Sequence, residues 1–148
     1  MKTASWVILA FAGLVTLALS VLQVVRAYGT SYDDRMVDIR ISELAPGRPE
    51  VEVAVRSRRA TAGAYGAGFG ALFLIIALGP YRRGELWAWW ALLGSMLLVS
   101  LLVLLRIPFL ETGLGGAVGG GTASGSVYQL LMVGLGLALD AGRLKKGR

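Results

Sequence analysis

Apolar residues in this chain fall into long blocks separated by short charged segments. The first block runs from Ala4 to Val25, the second from Ala60 to Leu78, and the third from Leu86 to Leu105. A helix of about 20 residues spans the roughly 30 Å of hydrocarbon in a bilayer. The pattern therefore predicts transmembrane helices, which we place at 4–26, 60–79 and 86–106.

The first block has an alternative interpretation as a cleaved signal peptide. Such a peptide has an apolar core of about 7–15 residues that ends at a small-x-small site. Here the apolar run is longer, and Arg26 stands where small residues are expected. We interpret the block as a retained helix.

A fourth helix is predicted at 123–141, in a stretch without any charge from Thr112 to Leu139. Its first half is rich in glycine, TGLGGAVGGGTASGS, so residues 113–125 are either a loop or part of the helix. Gly79-Pro80 is expected to end the second helix, because proline has no N–H to donate and its ring crowds the preceding turn.

Residues 36–56 show period-two alternation on both sides of the turn-forming segment APGRP. This pattern predicts a β-hairpin outside the membrane, between helices 1 and 2. A disordered charged loop is the alternative. The apolar face of the hairpin, which we expect to contact the helix ends or a partner, comprises Val37, Ile39, Ile41, Val51, Val53 and Val55.

The predicted fold is thus an all-α membrane protein of one domain, residues 1–148, with four transmembrane helices in an antiparallel bundle and a small β-hairpin. Basic residues flank cytoplasmic helix ends more often than external ones. The 15 lysines and arginines divide almost equally between the two sides, and the cluster Arg56, Arg58 and Arg59 argues for the reverse orientation. We favour both termini in the cytoplasm because the C-terminal tail and the second loop contain few acids.

Composition excludes several classes of function. The chain has no cysteine and no histidine, and hence no disulfide, no thiolate metal site and no imidazole to shuttle protons. The net charge of +6 lies mostly beside the apolar blocks, which favours contact with anionic lipids over nucleic acid. The glycine run lacks the Lys-Ser/Thr pair of a phosphate-binding loop. We predict no catalytic residues, no metal, no cofactor and no enzymatic activity.

The segment GPYRRGELWAWWALLG, residues 79–94, combines charge and tryptophan between two apolar blocks. Tryptophan and arginine are typical of the membrane interface. We predict an anchoring role for Arg82, Arg83, Trp87, Trp89 and Trp90, with an anionic headgroup pocket at the two arginines as the alternative. RRGELWAWWALL and the four-helix layout resemble small bacterial membrane proteins of uncharacterised, DoxX-like families. That resemblance is consistent with four transmembrane helices and points to no particular activity. It offers no counterpart for the hairpin.

Small residues recur every four positions in two of the predicted helices, a spacing that lets helix backbones approach closely. They are Ala62, Gly66 and Gly70 in the second helix and Gly134, Ala138 and Gly142 in the fourth. The neighbouring helix belongs either to the same chain or to another copy.

Taken together, these features favour a non-catalytic accessory or assembly subunit of a larger membrane complex, in contact with membrane lipids and with other subunits or a second copy. The alternative is a binder or carrier of a lipid or lipophilic small molecule within the helix bundle.

Overall fold

The computed structural model describes residues 2–29, 35–36, 39–40, 46–106 and 120–141. These residues form four α-helices: α1 (Lys2–Tyr28), α2 (Pro49–Ile76), α3 (Leu86–Arg106) and α4 (Gly120–Ala138). A π-helical turn, Ala77–Tyr81, continues α2. Helix α4 begins inside the glycine run, so Gly120–Gly125 are helical, while residues 113–119 lie outside the described part of the chain.

Three helices are long and apolar enough to cross a membrane: Ala4–Tyr28, Pro49–Tyr81 and Leu86–Leu105. This is the character of a helical membrane protein. In α4, the residues whose side chains are described contain a shorter apolar helical segment, Val127–Ala138.

The predicted β-hairpin is wrong. Residues 50–56, its second strand, lie in the first two turns of α2. Upstream, Arg35–Met36 pairs antiparallel with Ile39–Arg40 over two residues per strand, which is not the predicted hairpin. Val37 and Ile41 lie outside the described residues. A turn does form at Pro46-Gly47, with Gly47 at φ 78°, but it leads into a helix.

Local helix signals explain why the alternating valines do not form a strand. Pro49 occupies the first helical position, where its missing N–H costs nothing and its fixed φ suits a helix. Glu50 and Glu52 lie in the first turn, where negative charge is favourable towards the helix dipole. Arg56 Nη2 lies 2.6 Å from Glu52 Oε1, an ion pair across one helical turn. The alternation of Val51, Val53 and Val55 is therefore incidental.

Helix α2 also passes through Gly79-Pro80 instead of ending there. Because Pro80 cannot donate a hydrogen bond and crowds the preceding turn, the helix widens into a π turn. It ends at Gly84, with φ 94°. Gly84 N–H donates to Tyr81 O at 3.0 Å and Glu85 N–H to Pro80 O at 3.1 Å, the pair of bonds of a Schellman motif. Helix α3 begins at Leu86, the residue after Glu85.

The chain divides into two compact units. The first comprises Met1–Leu14 and Leu72–Arg148, and the second comprises Val15–Ala71. The core of the first unit contains Leu9, Tyr81, Leu92, Met96, Val133 and Leu137. In the second unit, α1 and α2 approach closely: a Cβ at Gly63 would lie 2.8 Å from Val24 Cγ2 and 3.0 Å from Ser20 O.

Candidate functional site

A buried polar cluster joins three helices of the first unit at one end. Ser5 Oγ, near the start of α1, lies 2.5 Å from Tyr81 Oη and 2.6 Å from Gly136 O in α4. Since the single Ser5 proton is donated to the carbonyl, the Tyr81 hydroxyl donates to Ser5. Ser5 and Tyr81 are both 0% exposed. The start of α1, the end of α2 and the end of α4 therefore meet at this cluster.

Trp89, a predicted interface anchor, extends this cluster. Its side chain is 8% exposed, and Nε1 donates to Leu137 O at 3.2 Å. Its ring meets that of Trp90 edge-on, with centroids 4.9 Å apart and planes at 80°. The indole thus fills the core and binds a carbonyl near the end of α4.

The other predicted anchors are on the surface. Arg82 and Arg83 are exposed, and the Arg82 guanidinium lies 5.1 Å from the centroid of the Trp6 ring, within range of a cation–π interaction. Trp87 and Trp90 are each 55% exposed. Trp87 Nε1 donates to Glu85 Oε2 at 2.5 Å. These positions allow contact with lipid headgroups.

Sequence analysis did not identify this cluster, because neither Ser5 nor Tyr81 belongs to a recognisable motif. Ser5 and Tyr81 are 76 positions apart, and no local pattern connects them. Asp140 lies in the turn after α4 and is 5% exposed.

Some of the small residues predicted to pack helices lie in close contacts, and others are exposed. A Cβ at Gly66 would lie 2.5 Å from Ser20 Oγ, and Gly70 is buried, but Ala62 is exposed. In α4, Gly134 and Ala138 are exposed. Gly136 makes the close contact instead, since a Cβ there would lie 3.1 Å from Leu9 Cδ2.

A groove of about 540 Å³ lies in the second unit, between the end of α1 and the first half of α2. We call it the Arg56 groove, because Arg56 is the one charged residue among the described residues that line it. Val53, which was predicted to face a partner, also lines it. The other principal lining residues are Tyr28, Ser57, Ala60, Ala64 and Tyr65.

The clusters described contain hydroxyl, indole and guanidinium groups and the carboxylates of Glu52 and Glu85. Their contacts are hydrogen bonds and ion pairs, and none of these contacts sets a nucleophile against a base. Within the described ranges, no three histidine, cysteine or acidic side chains are grouped so as to hold a metal ion. No family model, curated protein or solved structure matches the chain.

Proposed function

We propose that the chain is a non-catalytic protein of the bacterial inner membrane that serves as an accessory or assembly subunit of a larger membrane complex. The observation that carries this proposal is the length of α2. From Pro49 to Tyr81 it has 33 residues, or about 50 Å of helix, against roughly 30 Å of hydrocarbon. The excess is its charged first part, Pro49–Arg59, which we call the α2 extension.

One side of the α2 extension has the composition of a docking surface. Val51, Val55, Arg58 and Ala62 follow each other at spacings that bring them to one face of the helix. Val51, Arg58 and Ala62 are exposed, and Val55 is partly exposed. We call this face the docking flank. An exposed and a partly exposed valine beside a charged residue on a rigid helix suit a helical or extended segment of a partner subunit.

The polar cluster of the first unit supports both termini on one side of the membrane. Ser5, near the beginning of α1, bonds to Gly136, near the end of α4, and to Tyr81, next to Arg82 and Arg83. With basic residues at this end, we propose that it is cytoplasmic. Since a spanning helix begins and ends on opposite sides, the α2 extension then lies outside the cytoplasm.

The test is purification of the tagged chain from its native membrane in mild detergent, followed by mass spectrometry of the proteins recovered with it. We expect a defined set of subunits in stoichiometric amounts. Arg58→Glu should remove them, because it reverses a charge on the docking flank without disturbing a buried residue. The matched control is Arg83→Glu, a charge reversal at an exposed residue outside the α2 extension.

Recovery of the chain alone, or only as a homo-oligomer, contradicts the proposal. The assignment to the docking flank is wrong if Arg58→Glu and Arg83→Glu retain the same partners in the same amounts.

A further inference from the structure

We propose that the Arg56 groove binds the headgroup of an anionic phospholipid. The groove uses a different flank of α2 from the docking flank, with Val53, Arg56, Ser57, Ala60 and Ala64 in place of Val51, Val55, Arg58 and Ala62. The lipid site and the subunit function are therefore tested independently.

The groove lies at the depth where lipid headgroups are found. Along α2, charged residues end at Arg59 and the uncharged stretch begins at Ala60. Arg56 and Ser57 line the groove on the charged side of this boundary, and Ala60 and Ala64 line it on the apolar side. Tyr28 and Tyr65, 75% and 78% exposed, also line it, and tyrosine is enriched at the membrane–water interface.

The positive charge at the groove favours an anion as its occupant. Arg56 Nη2 pairs with Glu52 at 2.6 Å, and Nη1 donates to Gly29 O at 3.5 Å. A guanidinium has five N–H donors, so donors remain for a phosphate, and 26% of the Arg56 side chain is exposed. Among the charged side chains described at this end of the two helices, Arg26, Arg48, Arg58 and Arg59 accompany Arg56, against Glu50 and Glu52. This excess of positive charge favours anionic lipid.

The apolar side of the groove favours a lipid over a soluble anion. Below Arg56, the small side chains of Ala60 and Ala64 leave a shallow surface along α2. It continues to Gly68, which is exposed and where a Cβ would meet nothing within 4 Å. An acyl chain can lie along this surface while its phosphate contacts Arg56 and the Ser57 hydroxyl.

Native mass spectrometry of the delipidated full-length chain, titrated with phosphatidylglycerol or phosphatidylcholine, tests the proposal. We expect one phosphatidylglycerol to bind about fivefold more tightly than phosphatidylcholine, which is the contribution of roughly one arginine at a membrane surface. Arg56→Gln should abolish that preference. Glu52→Gln removes the same ion pair but keeps the arginine, so it should retain the preference or increase it.

Arg48→Gln is the control for net charge, since it removes one exposed arginine that does not line the groove, and it should leave the preference unchanged. The proposal is overturned by equal binding of the two lipids to the unaltered chain, by an Arg56→Gln chain that still prefers phosphatidylglycerol, or by equal losses in Arg56→Gln and Arg48→Gln. A protein partner that is lost on Arg56→Gln, with no lipid preference in the unaltered chain, would assign the groove to an acidic protein segment instead.

Discussion

Ser5 and Tyr81 share a hydrogen bond of 2.5 Å although 76 residues separate them in the sequence. Neither residue is accessible from the surface. Because Ser5 also donates to Gly136 O at 2.6 Å, the contact ties the start of α1 to both the end of α2 and the end of α4. In an apolar surrounding, a hydroxyl that loses its partner has no water to replace it. This relationship fixes which helix ends meet in the first unit.

Ser5→Ala should lower the free energy of unfolding by about 1 kcal/mol, because hydrogen bonds between membrane helices contribute roughly 0.6 to 1.7 kcal/mol. The measurement is SDS-induced unfolding of the detergent-solubilised chain, followed by far-UV circular dichroism. Tyr81→Phe removes one bond of the cluster. The loss of free energy of unfolding in the double variant should be smaller than the sum of the losses in the two single variants.

Ser95→Ala is the matched control, since the Ser95 hydroxyl donates only within its own helix, to Leu92 O at 3.1 Å. Its effect should be close to zero. Equal losses for Ser5→Ala and Ser95→Ala would contradict a role for the interhelical bonds.

Helix positions follow from the sequence where one property of the segment itself, a long apolar run, dominates. The three predicted spans that begin at Ala4, Ala60 and Leu86 each overlap a helix that is apolar enough to cross a membrane. Length and hydropathy are properties of the segment itself, so no knowledge of its neighbours is needed. The candidate site is different, because the Ser5–Tyr81 and Trp89–Leu137 contacts depend on how helices pack.

The segment after Pro49 shows how a short periodic pattern misleads. Three valines at alternate positions suit a strand, but Glu50, Glu52 and Arg56 around them suit the first turns of a helix equally well. A hairpin of two strands is marginally stable alone, whereas a helix continuous with a membrane span needs no new nucleus. In α4 the small-residue spacing includes Gly134, which is exposed, whereas the close contact within the chain is at Gly136.

Gly63→Val should separate α1 from α2 in the second unit. A Cβ at this position would lie 2.8 Å from Val24 Cγ2 and 3.0 Å from the Ser20 carbonyl oxygen, and backbone cannot yield as a side chain can. We expect a loss of about 1–3 kcal/mol in the free energy of unfolding, as for overpacking of a core. SDS titration measures it. Gly68→Val introduces the same side chain where nothing lies within 4 Å, so a comparable loss there would show that the cost comes from valine in the helix.

Gly84→Ala should cost about 1–2 kcal/mol, because Gly84 has φ 94° and L-residues with a side chain are strained in that region. The expected result is a lower melting temperature, with the α2–α3 turn as the first element to open in hydrogen exchange. Gly94→Ala is the control: it replaces a glycine inside α3 that has open space around it, and should be neutral or slightly stabilising. If Gly84→Ala and Gly94→Ala have the same melting temperature, the left-handed conformation at Gly84 does not stabilise the connection between α2 and α3.

Trp89→Phe separates the two contributions of the indole. The phenyl ring keeps most of the apolar contact in the core, but it cannot donate to Leu137 O, which the Trp89 Nε1 group reaches at 3.2 Å. The Leu137 carbonyl oxygen also accepts a hydrogen bond from Asp140 N–H at 3.2 Å. The loss of the Trp89 donor is therefore partly compensated. We therefore expect a destabilisation of about 1 kcal/mol, within the range for one hydrogen bond and a smaller ring. Trp90→Phe alters a side chain that is 55% exposed and should cost distinctly less. SDS unfolding followed by circular dichroism compares the two variants. A larger loss of free energy of unfolding for Trp90→Phe would show that the exposed indole contributes more to stability than the buried one.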